Sequence, residues 1–240
     1  MKWDVESITH FYQSPLGRAV ERVISENLKV CLDAYCQDPD SRVVGLGYAA
    51  PYLDPENSAH VLVVPKQYQS LSWPNRDGTV DRTVVCEGET IPLTSHSADC
   101  VVMVHALESF DSASAILKEA WRILGSDGHL ILVVPNRTGL WVYFEKTPFG
   151  TGRPYSISQV ETLLEASRFS EAEERLHALF FPPSNRALRL THWMERFGPK
   201  ICPALAGVNI VSARKQAYAK NALKQESKGG FVPSEPAGAV

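Results

Sequence analysis

Apolar positions along this chain follow two periods, and the switches between them predict its elements. Leu16, Val20, Val23, Ile24, Leu28, Cys31 and Tyr35 recur at helical spacing, with Arg18, Glu21, Arg22 and Glu26 on the other face. That predicts an amphipathic helix over residues 16–34, with a shorter helix over 4–13 before it. From Arg42 onward the pattern changes to unbroken, β-branched runs: 42–47, 60–64 (HVLVV), 83–86 (TVVC), 98–104 (ADCVVMV) and 129–134 (HLILVV). Runs apolar on both faces and separated by helical or polar segments predict parallel strands covered on both sides. Residues 173–181 and 207–213 (GVNIVSA) read as a sixth and a seventh strand. Ser112 caps a helix whose Ile116, Leu117, Ala120, Trp121 and Leu124 share one face. Gly125–Gly128 reads as a tight turn. Ser158-Gln159-Val160-Glu161 reads as a capping box opening a helix to about Ser167. Residues 185–197 read as a helix that carries Arg186, Arg189 and Arg196 on a solvated face, buries Trp193 and holds a structural His192. Residues 66–81 read as loop or weak helix.

The first strand breaks on a small-residue turn, Gly47-Tyr48-Ala49-Ala50, and then reads as the start of a helix. Such βα junctions bring backbone close to a ligand, where a Cβ would intrude. In parallel sheets ligands bind at the carboxyl ends of the strands. Those ends are 45–48, 65–67, 87–89, 105–108 and 135–137. Tyr12, Arg18 and Arg22 of the leading helices lie near that edge, with the two arginines read as a solvated face. Residues 138–155, TGLWVYFEKTPFGTGRPY, form a long loop rich in aromatics, glycine and proline, which reads as a functional lid.

Bulk properties narrow the classes. The net charge of −3 carries no basic footprint for nucleic acid or an anionic membrane. Five cysteines, an odd number without a CxxC pair, read as reduced thiols of a cytoplasmic protein. No HxxxH or DxH spacing points to a metal. The first residues lack the apolar segment of a signal peptide, and no apolar run approaches the roughly 20 residues of a spanning helix. The expected organisation is a helical cap over residues 1–36, an α/β domain over 37–216 with a lid at 138–155, and a disordered Lys-, Gly- and Pro-rich tail over 217–240.

The most specific stretch is CEGETIPLTSHSADCVVMVHALESFDSASAILKEAWRILGSDGHLILVVPN. Its acid after strand three, Ile91-Pro92-Leu93, Ala98-Asp99-Cys100-Val101-Val102, His105-Ala106-Leu107-Glu108, Glu119, Arg122-Ile123-Leu124, Gly125, Gly128 and Pro135-Asn136 resemble the class I S-adenosylmethionine-dependent methyltransferases. Within them the chain is most similar to the methyltransferase type 11 group. The resemblance implies a Rossmann-like fold: a seven-stranded, mostly parallel sheet with helices on both faces. It implies S-adenosyl-L-methionine as cofactor. The methionine end would lie on Gly45, Gly47, Tyr48 and Ala49. The adenine would lie by Glu87, Gly88 and Glu89, with His105 and Ala106 lining the sulfonium side.

The chain departs from the family at two carboxylates. The pattern DxGxGxG is replaced by Gly45-Leu46-Gly47-Tyr48-Ala49-Ala50-Pro51, and the ribose-binding acid after strand two by Pro65-Lys66-Gln67, where Gln67 stands in. Each lost charge-assisted hydrogen bond is worth about 1.5–3 kcal/mol. His105, at the mouth of strand four, is the candidate general base. Glu108 reads equally as a helix-start carboxylate. Trp141, Tyr143, Phe149, Arg153 and Tyr155 are the candidate acceptor pocket, with Arg153 for an anionic group. The expected activity is methyl transfer to a small molecule. The alternative is a methyltransferase-like protein without catalysis that serves a protein partner.

Overall fold

The computed structural model describes residues 3–71, 73 and 81–216. Its first helix, α1 (Val5–Gln13), starts where Asp4 accepts a hydrogen bond from the Ser7 N–H. Ser14 ends it and caps the second, α2 (Pro15–Tyr35), by accepting from the Gly17 N–H, with Pro15 in the first turn where no N–H is needed. Gly17 is required at this elbow. A Cβ there would run into the Phe11 carbonyl and sit 2.5 Å from Tyr12 Cα.

Seven strands follow: β1 (Val43–Gly47), β2 (His60–Pro65), β3 (Thr83–Cys86), β4 (Ala98–Val104), β5 (Leu124–Pro135), β6 (Glu174–Ala178) and β7 (Val208–Arg214). They form one sheet in the order β3-β2-β1-β4-β5-β7-β6. The pairs from β3 to β5 are parallel; β7 runs antiparallel to both β5 and β6. The architecture is the Rossmann-like one that the motifs imply. Successive residues of each strand point to opposite faces, so two cores result. One face buries Val43, Cys100, Val102, Ile131 and Ile210 under α1 and α2. The other buries Val44, Leu46, Val101, Met103 and Leu132 under α3 (Ala113–Ile123) and α4 (Ile157–Ala166).

Several local expectations need correction. The helix predicted after Gly47 is absent. Ala50–Tyr52 makes one 3-10 turn and β2 begins at His60. Pro51 fits the first turn of a helix, but Pro55 cannot continue one, and residues 48–59 leave no length for it. The sheet face that a crossover helix would cover is taken by α2, which buries Val20, Val23, Ile24 and Leu28. Residues 125–128, predicted as a tight turn, lie within β5, beside a register shift between Ala98 and Cys100. The capping box of α4 is Ser156 with Gln159, two residues earlier than predicted, because that start lays Ile157 and Val160 on the second core.

The helix predicted over 185–197 is a 3-10 segment, Asn185–Leu190, followed by α5 (Thr191–Ile201). Trp193 is 58% exposed, not buried. The inward face of α5 is set by Glu195, which accepts hydrogen bonds from the Leu179 and Phe180 N–H groups, and by Gly198 against the Phe180 ring. That turns Trp193 and Phe197 outward; His192 is exposed as well. Of the predicted 66–81 loop, Lys66–Tyr68 is a 3-10 turn. Residues 72 and 74–80, and the tail 217–240, lie outside the described residues.

Candidate functional site

The carboxyl ends of β1, β2 and β4 meet around His105. This residue follows β4 directly and adopts a left-handed backbone, φ 50°, uncommon outside glycine. Ser109 fastens the bend by donating from its hydroxyl to the His105 carbonyl. The imidazole is 2% exposed. Its Nδ1 lies 2.9 Å from Glu108 Oε1, and its Nε2 lies 2.9 Å from the Tyr12 hydroxyl of α1. The Tyr52 hydroxyl donates to the Tyr12 oxygen at 2.9 Å. Since the Tyr12 oxygen accepts from Tyr52, its own hydrogen goes to Nε2, and Nδ1 carries the proton toward Glu108. One directed chain results: Tyr52 to Tyr12 to His105 to Glu108. Burial pushes the Tyr12 and Tyr52 hydroxyls well above the ordinary tyrosine range, so both stay protonated donors.

Aromatic rings pack this chain. Tyr12 stacks on Tyr48 at 4.9 Å, and Phe149 lies 4.9 Å from His105. Trp141 crosses Phe149 edge-on and donates its indole N–H to the Phe181 carbonyl at 2.7 Å. Trp141 and Phe149 are fully buried, so they offer core rather than open surface. Tyr143, by contrast, is 77% exposed on the outside of the loop. Tyr155 is half-buried and Arg153 exposed. Arg18 and Arg22 point to solvent.

The turn after β1 is tightly closed. Gly47 has φ +79°, and a Cβ there would lie 2.5 Å from the Val104 carbonyl and 3.1 Å from Ala106. Tyr48 donates its N–H to the same Val104 carbonyl. A Cβ on Gly45 would meet Ala49 at 2.8 Å. Here, then, Gly47 packs closely on Val104 and Ala106 at the end of β4, and Gly45 on Ala49 and Leu53 of its own turn. Gln67 donates to the Ser109 carbonyl at 2.7 Å, and the Tyr68 hydroxyl, pushed up to about 12 by burial, meets the Ser109 hydroxyl.

The rim at β3 is open. Gly88, at φ +59°, has nothing within 4 Å of a Cβ. Glu87 pairs with Lys66 across 2.7 Å, a hydrogen bond that holds its carboxyl below the usual range. Glu89 accepts from the Ser112 N–H at the start of α3, a carboxylate serving a helix N-terminus.

A cavity of about 310 Å³ lies beside His105, beneath residues 148–153 of the long loop. Glu108, Thr151 and Arg153 line it, and Trp3 and Tyr68 close it. A broader cleft of about 1090 Å³ runs outside α1, against Tyr143 and Phe144. The smaller cavity is the one with buried polar atoms and strand ends, which makes it the chemical candidate. The structure thus gathers His105, Tyr48, Phe149, Gln67 and Arg153 around one place, with Glu87 and Gly88 on its flank. Sequence reasoning missed Tyr52, Tyr68 and the role of Glu108. The His105–Glu108 spacing, one helical turn just after a strand, was the available signal.

Residues 43–132 match the model of a methyltransferase-domain family. Solved structures share the whole architecture. One is a methyltransferase from Thermotoga maritima, described as S-adenosylmethionine-dependent and a possible histamine N-methyltransferase. It is 19% identical, with 88% of this chain and 96% of that one aligned and a TM-score of 0.62. An S-adenosylmethionine-dependent methyltransferase from Aquifex aeolicus is 14% identical over 89% of this chain and 99% of its own, with a TM-score of 0.54. One from Archaeoglobus fulgidus is 16% identical over 80% and 94%, with a TM-score of 0.53. No curated protein matches the sequence.

Proposed function

From a chain whose residues 43–132 match the methyltransferase-domain model, on a seven-stranded sheet in the class I order, we propose an S-adenosylmethionine-dependent methyltransferase acting on a small molecule. The observation that carries the reading is the unbroken family match from β1 to β5, over strands laid in the class I order. The cofactor, when bound, supplies the methyl group. Glu87 accepts from the adenine amino group, and the bare Gly88 lets the ring approach. This rim fits the cofactor's adenine end. The methionine end does not fit while α1 is docked, since the Tyr12 ring covers the β1 turn and the Tyr48 N–H is already used. On the acceptor side His105 and Glu108 form a fixed pair, and Arg153 waits at the cavity mouth.

The five free thiols support a cytoplasmic protein. Among the described residues no helix is long and apolar enough to cross a membrane. The net charge of −3 argues against nucleic acid as substrate. A second reading, a methyltransferase-like protein without turnover that serves a protein partner, is favoured by one observation: Tyr12 and Tyr48 fill the space over the glycine turn.

Calorimetric titration with S-adenosylmethionine and S-adenosylhomocysteine decides between them. The enzyme reading expects one-to-one binding, weakened about tenfold by Glu87→Ala and unchanged by Arg189→Ala. Equal affinities in the two variants would undo the adenine assignment. No binding up to about millimolar concentration would leave the second reading.

A further inference from the structure

We infer that the cavity beneath residues 148–153 binds the ammonium group of a small monoamine, held by Glu108 Oε2 and Thr151 Oγ1. The Glu108 side chain is only 8% exposed. Its Oε1 is committed to His105 Nδ1. Its Oε2 is buried and has no hydrogen-bond partner among the described residues, and the same is true of Thr151 Oγ1. Both residues line the one cavity. A buried carboxylate oxygen left without a donor bears its full desolvation cost, so its place here calls for a donor from outside the chain.

The surroundings fix what that donor is. A carboxylate oxygen takes only hydrogen-bond donors, and in a site this enclosed a positively charged one is strongly favoured. The relay behind Glu108 prevents it from turning away. Tyr12 occupies His105 Nε2, so Nδ1 stays committed to Oε1 and Oε2 stays the unpaired oxygen of a residue that lines the cavity. Gly152 presses on the carboxylate stem, where a Cβ would come within 2.9 Å of Glu108 Cβ. The walls of Trp3 and Tyr68 suit an apolar or aromatic body. Arg153 at the exposed edge disfavours a second cation, which favours a monoamine over a polyamine. The volume, about 310 Å³, is at the small end of ligand sites.

The inference concerns binding and stands apart from the methyltransferase reading: the site needs α1 in place, the state in which the β1 turn is covered. The probe is 2-phenylethylamine, with 2-phenylethanol as its uncharged counterpart, titrated into the full chain without cofactor. The amine is expected to bind at least about tenfold tighter than the alcohol. Glu108→Gln should abolish that preference, and Thr151→Val should weaken the amine several-fold. Thr151→Val keeps the test valid should Glu108→Gln fail to fold. Equal binding of amine and alcohol, no binding of either up to about 10 mM, or an unchanged preference in both variants would overturn the site. Cofactor binding without amine preference would keep the methyltransferase reading and remove the site.

Discussion

Glu195 shows how a single side chain sets a fold's response to pH. Both of its carboxyl oxygens accept backbone N–H groups, from Leu179 at 3.1 Å and Phe180 at 2.6 Å. Leu179 there has a left-handed φ of 65°. Burial outweighs those hydrogen bonds and pushes the pKa up to about 7. A raised carboxyl pKa means that the folded state holds the proton longer than the unfolded state does. Stability is therefore greatest below the unfolded value and falls as pH rises toward 7, by on the order of 3 kcal/mol. Denaturant melts between pH 5 and 8 should show this decline, with a flatter profile in Glu195→Gln. Parallel profiles would remove Glu195 as the cause. Residue roles were the least legible part of the sequence. His105 and Tyr12 stood out by position, but nothing in their spacing announces a bond between residues 93 positions apart. Glu108 looked like a helix-start carboxylate because one-dimensional spacing cannot separate that role from a histidine partner's. The isolated aromatics Trp141 and Phe149 look the same in sequence whether they face a ligand or the core.

Among the elements, α1 matters most to the site, because its Tyr12 fills the space over the β1 turn. Tyr12→Ala should uncover that turn. It removes a buried ring and two hydrogen bonds, at a cost of about 3–5 kcal/mol in stability. S-adenosylmethionine affinity should nonetheless rise, because the aromatic obstruction is gone. Paired calorimetry and melting curves check both signs; an affinity that falls along with stability would show that Tyr12 supports the cofactor site instead of covering it. Gly17→Ala should act in the same direction from a distance, since any Cβ at the elbow pushes α1 away from α2. Elements with strong periodicity were legible: α2, α3 and β1 to β4 fall within a residue or so of their predicted bounds, while β5 begins five residues before its own. The missing helix after β1 was not. Its glycine turn is the usual prelude to a helix, and only Pro55 and the short run to His60 hinted otherwise. The displaced start of α4 arose because two overlapping Ser-x-x-Gln/Glu patterns compete, and the choice between them depends on which face meets the core.

At the scale of the whole molecule, the N-terminal helices are part of the sheet's covering layer. Val20, Val23, Ile24, Leu28 and Cys31 of α2 are all buried in the first core. At about 1.5–3 kcal/mol for each large side chain, their burial rivals the 5–15 kcal/mol by which a domain of this kind is stable. Removal of residues 1–36 should therefore leave a chain that does not fold, seen as loss of a cooperative thermal transition. A cooperative melt of 37–216 alone would mean that the sheet needs no cover on that face. The strand order was legible only through the family resemblance, since periodicity finds strands but does not rank them across a sheet.

The tie between Tyr35 at the end of α2 and Ser212 in β7, 2.9 Å apart, joins residues 177 positions apart. Tyr35 also lies flat on His129 of β5 at 4.1 Å. On a ribosome adding roughly 5–20 residues per second, α2 emerges roughly 10–35 s before the last strand it packs against. During that interval its apolar stripe is only partly covered, by α1 and the earlier strands. The stripe of α2 is thus made well before β7, one of the strands that hide it. The protein's yield in a cell should depend on translation speed and on holdase chaperones more than its final stability would suggest.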